Sequence, residues 1–257
     1  MDDIRALPVG KGSIGIWWFG QNSFIFKSPE GTTASVDLYL TDSCRGLVQG
    51  MDLGRQVPIL LQPEDVQVDV FACTHNHQDH TDPETIRHLR NKDTMRFVGP
   101  HPTCAVYAAE GVESGRITPA WPDAEFECKD LRISGAWALP TDASDLNHMG
   151  FVLRFGSKGP KVYITGDTDY HDLLTSVRKH QPDVVITVIN GGFNNMSHWE
   201  AADLVGRIGP KVAVPCHYDM FADNAVDPKQ FRASMTQKAP DVAYHEMTHG
   251  KPWVFPL

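Results

Sequence analysis

The sequence predicts an α+β fold, a β-rich core covered by helices, on three observations. Short apolar segments of strand length recur in both halves of the chain. Many end at turn residues or polar side chains. In each half the order strand, polar strand end, helix appears, which suits sheets that bury one face under helices. No short repeat, linker or low-complexity tract interrupts this pattern, so one domain over residues 1–257 is expected.

In order, "IGIWWFG" and "SFIFKS" read as strands, a turn falls at Pro29-Glu30-Gly31, and "TTASVDLYL" completes a meander. Thr41 to Pro63 lacks a period and reads as loop. "VQVDVFACT" reads as a buried strand. "DPETIRHLRN" reads as a helix, with Asp82 suited to the N-cap and Pro83 to the first helical position. "HMGFVLRF" and "KVYITGD" flank "GSKGP" as a hairpin, and a helix is expected over "YHDLLTSVRKH". "PDVVITVIN" is a further apolar strand. "SHWEAADLVGRIG" carries Ser197 and Glu200 at capping-box spacing and Gly209 as a stop. "KVAVPCHYD" is a strand delivering His217, and Asp227-Pro228 opens a last helix.

The chain is acidic, with a net charge of −9, which argues against a nucleic-acid binder. Its 257 residues, 41 % apolar and 21 % charged, are ordinary for a globular protein with a substantial core. Five scattered cysteines without a C-x-x-C suggest reduced thiols rather than a disulfide framework. "MDDIRALPVG" has no apolar run of the secretory kind, and Val184 to Ile189 is too short to span a bilayer. A cytoplasmic protein without membrane or nucleic-acid partners is expected, and a homo-oligomer is compatible with the sequence.

The chemistry is concentrated in "FACTHNHQDHTDPETI", where His75 to Asp82 hold three histidines and two aspartates in eight residues. At a strand end, residues two apart point the same way, so His75 and His77 can grip one ion. As the chain turns into the helix, Asp79 and His80 are directed to a neighbouring position. Imidazole and carboxylate donors suit zinc, manganese or iron. Four donors do not close a two-ion site, and His148, Asp167 and His217 stand at other strand ends. Each alone is weak evidence, since a lone histidine is usually structural and aspartate is common in turns. Gly166 would let the chain turn sharply and aim Asp167 off its strand.

His-x-His-x-Asp-His, a histidine before a strand, Gly-Asp-Thr and a strand-end histidine together resemble the metallo-β-lactamase-fold hydrolase superfamily. Within it the chain is most similar to the L-ascorbate-6-phosphate lactonase group, through "WWFGQNSFIFKSPEGTTASVDLYL", "THNHQDHTD", "ITGDTDYH", "VPCHYDMFADNAVDP" and "GKPWVFPL". The resemblance implies a four-layer αβ/βα sandwich, two mixed sheets with helices on the outer faces. It implies two divalent metal ions, His75, His77 and His148 holding one, Asp79, His80 and His217 the other, and Asp167 bridging.

Asp79 and Asp167 are the expected catalytic residues. Two divalent cations outweigh two aspartates and a shared hydroxide, so the site can attract an anionic small-molecule ester on an acidic protein. The expected reaction is opening of a small, even phosphorylated, sugar lactone by a metal-bridging hydroxide that Asp79 helps to orient. The alternative is a phosphodiesterase of the same fold resembling ribonuclease Z or the phospholipase D-type members. A flavodiiron-type redox protein is disfavoured because position 77 is His rather than Glu, and a non-catalytic binding domain because all seven donors are present.

The loop "NGGFNNMSH" offers Asn190, Gly191, Asn195 and His198 as an anion cradle at a helix N-terminus. An ordinary connecting loop is the equal alternative. Tyr218 follows a donor directly and is expected near substrate. His245 and His249 read as surface histidines, Cys73 and Cys216 as thiols facing away from the ions, and Trp17, Trp18, Phe24 and Phe26 as core.

Overall fold

A computed structural model of the chain describes residues 1–142 and 147–256. Helix α1 (Asp2–Ala6) leads into β1 (Ile14–Trp18), β2 (Phe24–Lys27) and β3 (Thr33–Val36), which form the antiparallel meander the sequence predicts. β4 (Val70–Ala72) then joins β3 in parallel, and α2 (Pro83–His88) follows. β5 (Arg96–Gly99), α3 (His101–Ala109) and β6 (Ile117–Pro119) extend the sheet in parallel.

The second sheet is built from β7 (Glu125–Cys128), β8 (Leu131–Trp137), β9 (Met149–Phe155) and β10 (Lys161–Ile164), paired antiparallel. β11 (Val184–Val188), α4 (His198–Ile208), β12 (Val212–Cys216), α5 (Pro228–Lys238) and β13 (Ala243–Tyr244) continue it with parallel pairings. β14 (Pro252–Phe255) returns to the first sheet beside β1. Both sheets are therefore mixed and seven-stranded, in the orders β14-β1-β2-β3-β4-β5-β6 and β13-β12-β11-β10-β9-β8-β7.

Strand alternation sorts side chains into layers. Ile16, Trp18, Phe24 and Phe26 share one core with Phe151, Leu153, Tyr163 and Ile186 of the other sheet. Their neighbours Trp17, Ile25 and Phe71 instead pack under Ile4, Ile86 and Tyr107 of α1–α3. Leu204 and Val205 of α4 and Phe231 of α5 cover the outer face of the second sheet. The result is the helix–sheet–sheet–helix sandwich, and each fully buried side chain of this size contributes about 1.5–3 kcal/mol.

Local signals behave as their chemistry requires. Asp82 caps α2 by accepting from Glu84 N and Thr85 N, with Pro83 at the first position. Ser197 and Glu200 form the reciprocal capping box of α4, and Gly209 ends it at φ 73°. The helix expected at "YHDLLTSVRKH" is a 3₁₀ segment, Asp172–His180. Its two buried residues, Leu174 and Val177, are three apart, the spacing that a three-residue turn stacks on one face. Among the described residues no helix is long and apolar enough to cross a membrane.

Parallel pairing of β3 with β4, and of β10, β11 and β12 with one another, sends their C-terminal ends to common edges. β9 is antiparallel to β10, so the residue before β9 lies beside the residues after β10. The polar strand ends of both halves thus meet at one rim of the sandwich.

Candidate metal centre

β4 stops at Ala72, and the next residues carry the cluster. His75 and His80 are fully buried, His77 and Asp79 partly so. His148, just before β9, brings its ring centroid to 4.0 Å from that of His75 and 5.1 Å from that of His77. After β10, Gly166 turns at φ 63°, where an added Cβ would lie 2.7 Å from Met149 O and 2.9 Å from Thr74 Cβ. The turn is open only to glycine, and it delivers Asp167. After β12, His217 sits in the left-handed region at φ 60°, strained backbone of the kind that concentrates at functional sites.

Three groups of donor atoms result, the atoms of each lying within 4.8 Å of one another: His75, His77 and His148; His75, His80 and Asp167; and Asp79, His80 and His217. Asp167 stands between the outer two. Its Oδ1 is 3.2 Å from His80 Nε2 and 2.9 Å from His217 Nε2.

The donor set fits metal ions. His75 Nε2, His80 Nε2, His217 Nε2 and Asp167 Oδ1 are buried atoms without a properly directed hydrogen bond, despite the short distances just given. Leaving such a group unsatisfied costs about 1–3 kcal/mol, so four converging on one spot are what a cation between them would relieve.

The surroundings hold these donors in a metal-ready state. His80 Nδ1 lies 2.7 Å from Asp37 Oδ2, and since a carboxylate only accepts, Nδ1 donates to it; Nε2 is the atom that faces the centre and would exchange its proton for a metal. Gln21 Nε2 donates to Asp79 Oδ2 at 2.8 Å, and Asn195 Nδ2 donates to Asp167 Oδ2 at 2.8 Å. Two amides thus orient the two carboxylates: Asp167 keeps Oδ1 for the centre, while Asp79 Oδ2 lies 3.5 Å from His80 Nε2 and accepts from Gln21 as well. Burial, reinforced by the imidazoles of His80 and His148, holds His75 well below the usual histidine range, hence neutral. Burial also opposes charge on Asp79, but His80 outweighs it and brings that carboxyl down to about 2. Asp167 is held well below the usual range because His217 and His80 overcome its burial.

A cavity of about 260 Å³ opens onto His77, Asp79 and Asp167. The expected substrate contacts are placed differently from the sequence reading. Asn195 is turned inward onto Asp167 and the Thr168 amide. Asn190 donates to Asn224 Oδ1 at 2.7 Å, and it is Asn224 that reaches the cavity wall. Gly191 lies behind, its N–H donating to Met196 O. His198 Nδ1 meets Ser234 Oγ at 2.8 Å, tying α4 to α5. Tyr218 is buried, stacked on Trp18, with its hydroxyl donating to Met247 O. In each case the donor or ring finds a partner within the protein, and none of the five lines the cavity. His245 stacks on Trp253 and His249 packs edge-on to Trp18, neither among the residues lining the cavity.

The cysteines beside donors point away, as expected. Cys73 Sγ donates to His80 O and Cys216 Sγ to Asn22 Oδ1, and burial pushes both thiols up. Sequence reasoning passed over Asp37, Gln21 and the loop between Cys44 and Leu53 as site-building elements. Asp37 alone had a signal, an acid interrupting the apolar run "ASVDLYL".

Known proteins agree with this architecture. Residues 15–217 match the family described as "Beta-lactamase superfamily domain". A protein of Salmonella heidelberg, "Probable L-ascorbate-6-phosphate lactonase UlaG", is 22 % identical over 95 % of this chain and 80 % of its own length. Igni18, a metallo hydrolase of Ignicoccus hospitalis, superposes with a TM-score of 0.74 at 20 % identity, covering 95 % of this chain and 99 % of its own. An isothiocyanate hydrolase from Delia radicum gut bacteria superposes at 0.72 with 15 % identity, covering 93 % and 98 %. With every converging donor inside the matched span, the chain belongs to the metallo-β-lactamase superfamily and is a metal-dependent hydrolase of that superfamily.

Proposed function

We propose that the protein is a dinuclear hydrolase that opens a small lactone, with one catalytic domain spanning residues 1–257. The observation that carries this reading is Asp167, whose Oδ1 faces His80 and His217 while its donor group also includes His75. His75, His77 and His148 would hold one ion and Asp79, His80 and His217 the other, with Asp167 serving both. Zinc or manganese suits these nitrogen and oxygen donors, and iron is the third candidate. When bound, such ions supply Lewis acidity and a water acidic enough to act as a nucleophile near neutral pH.

The chain's own residues do the rest. Asp79, fixed by Gln21, keeps an ionised oxygen on the cavity side, where it can accept a proton from water and orient it. Asp167, fixed by Asn195, holds the centre together from the opposite half of the fold. Cys44 borders the cavity, but burial and the nearby Asp79 push its thiol up to about 12, so it offers no competing nucleophile. The test is metal analysis of the purified protein together with turnover of a lactone panel and of a chromogenic phosphodiester. Two equivalents of metal and lactone opening support the reading; preference for the diester overturns it in favour of a phosphodiesterase.

A further inference from the structure

We infer that this site takes a small uncharged lactone or ester with an apolar arm, and not a phosphorylated or otherwise anionic one; this rests on the lactonase reading above. The cavity above Asp79 and Asp167 is lined by the apolar side chains of Leu47, Val48, Leu53, Phe193 and Phe221. Leu47 and Phe193 are 54 % and 47 % exposed, so large apolar side chains stand at the lip where a substrate enters. At about 260 Å³ the space falls just under the roughly 300 Å³ at the lower end of ligand pockets, which limits the occupant to a small molecule.

Strong anion recognition draws on charge-assisted donors, for which lysine and arginine are the usual source. No Lys or Arg is among its described lining residues, whereas Asp142 is. Residues 143–146, Ala-Ser-Asp-Leu, add no positive charge in sequence. The two arginines of the segment that supplies Leu47, Val48 and Leu53 have partners of their own: Arg55 Nη1 donates to Tyr39 O at 2.7 Å, and Arg45 pairs with Asp42. The asparagine side-chain amides of "NGGFNNMSH" are likewise engaged, Asn190 on Asn224, Asn194 on Thr141 O and Asn195 on Asp167. Glu200, the residue that closes the capping box, already places a carboxylate at the N-terminus of α4.

The apolar wall is held in place. Arg55 N donates to Asp42 Oδ1, Gln56 N to Met220 O, and Asp52 N to Asp223 Oδ2, tying the loop to the segment after β12. Leu53 and Phe221 also share a small buried cluster with Tyr39 and Met220. An apolar arm lying in this slot leaves its ester carbonyl over the donor groups. Hydrolysis there breaks the acyl C–O bond and joins water oxygen to the acyl carbon. One water proton ends on the released alkoxide oxygen and the other is lost from the new carboxylic acid.

The experiment is steady-state kinetics of the metal-loaded full chain on neutral lactones of increasing alkyl length, on a phosphorylated and an unphosphorylated lactone of the same ring, and on a phosphodiester. The expected result is kcat/KM rising by about 3- to 4-fold per added methylene until the cavity fills. The phosphorylated lactone is expected to be at least about 10-fold poorer than its unphosphorylated counterpart, the loss of one charge-assisted contact or more. Leu47→Lys, at an exposed position that leaves the core intact, should flatten the chain-length gradient and narrow the gap between the phosphorylated and neutral lactones. A flat gradient in the wild type, or equal or better turnover of the phosphorylated lactone, overturns this inference and leaves the lactonase reading standing. Inert lactones with rapid diester cleavage overturn both.

Discussion

Asp37 and His80 meet inside the protein with Oδ2 2.7 Å from Nδ1, and neither side chain reaches solvent. Asp37 also accepts from Asn22 Nδ2, Thr74 N and Thr74 Oγ1, each at 2.6 Å, while adopting a left-handed φ of 50°. One carboxylate therefore fixes the tautomer of a donor histidine and the backbone where β4 gives way to the cluster. Asp37→Asn keeps shape and tolerates the φ, so the chain should fold, but metal affinity should fall about 10- to 100-fold. Competition with a chelator measures this. Asp37→Ala strands the partners and should cost about 3–5 kcal/mol in urea unfolding of the metal-free protein.

Gly166→Ala is expected to destabilise the protein by about 1–3 kcal/mol and to lower metal content, because the new methyl meets backbone oxygen at 2.7 Å and the turn is left-handed. Gly12→Ala is a control for backbone strain alone, since it also has positive φ but nothing within 4 Å. Equal metal content in the two variants would show that the turn does not position Asp167.

Asp167→Ala and His77→Ala should each abolish metal binding at one or both positions and activity with it. Elemental analysis and turnover on the same samples check this, and full activity from a metal-depleted variant would falsify the two-ion reading.

Asn195→Ala frees Asp167 Oδ2 from its amide without touching the cavity wall. Activity should fall about 10- to 100-fold at unchanged secondary structure, and Asn195→Gln should not restore it, since the amide is buried at fixed reach. Wild-type rates in Asn195→Ala would make the contact incidental.

The metal-free protein should show a stability maximum near the ordinary imidazole value of about 6.5. Burial lowers His75 in the folded chain, so below that pH the unfolded chain binds a proton the folded one resists, and stability falls as pH falls. His80 is the reverse: burial opposes its charge, but Asp167, Asp79 and Asp37 outweigh it and raise it, so its contribution is full below 6.5 and is lost as pH rises through its folded value. Bound metal replaces the proton at His80, so the loaded protein should not lose stability on the alkaline side. Thermal denaturation across pH, with and without chelator, distinguishes these curves; a chelated protein that stabilises steadily from pH 6 to 9 contradicts the His80 assignment.

Much of the scaffold was legible because its signals are local. Asp82-Pro83, Ser197 with Glu200, Gly209 and the turn at Pro29-Gly31 depend on neighbours a few residues away, and the alternation in "IGIWW" and "SFIFK" follows from pleating. The 3₁₀ form of Asp172–His180 was not legible, because its spacing of buried residues serves a helix and a 3₁₀ turn alike. Nor was the length of the strand at Val70–Ala72, which stops where Asp37 captures the Thr74 amide from a distant part of the chain.

The sequence by itself named the candidate donors: His75, His77, Asp79 and His80 are held together by covalent spacing, and residue chemistry marked His148, Asp167 and His217 as their complement. Tertiary structure alone decided what surrounds them. That Asp37, Gln21 and Asn195 orient the site, that Tyr218 is buried against Trp18 and His198 pairs with Ser234, and that Leu47 and Phe193 line one cavity all depend on contacts between segments far apart in the chain. Those contacts exist only once two sheets have packed face to face and brought their polar strand ends to a common rim.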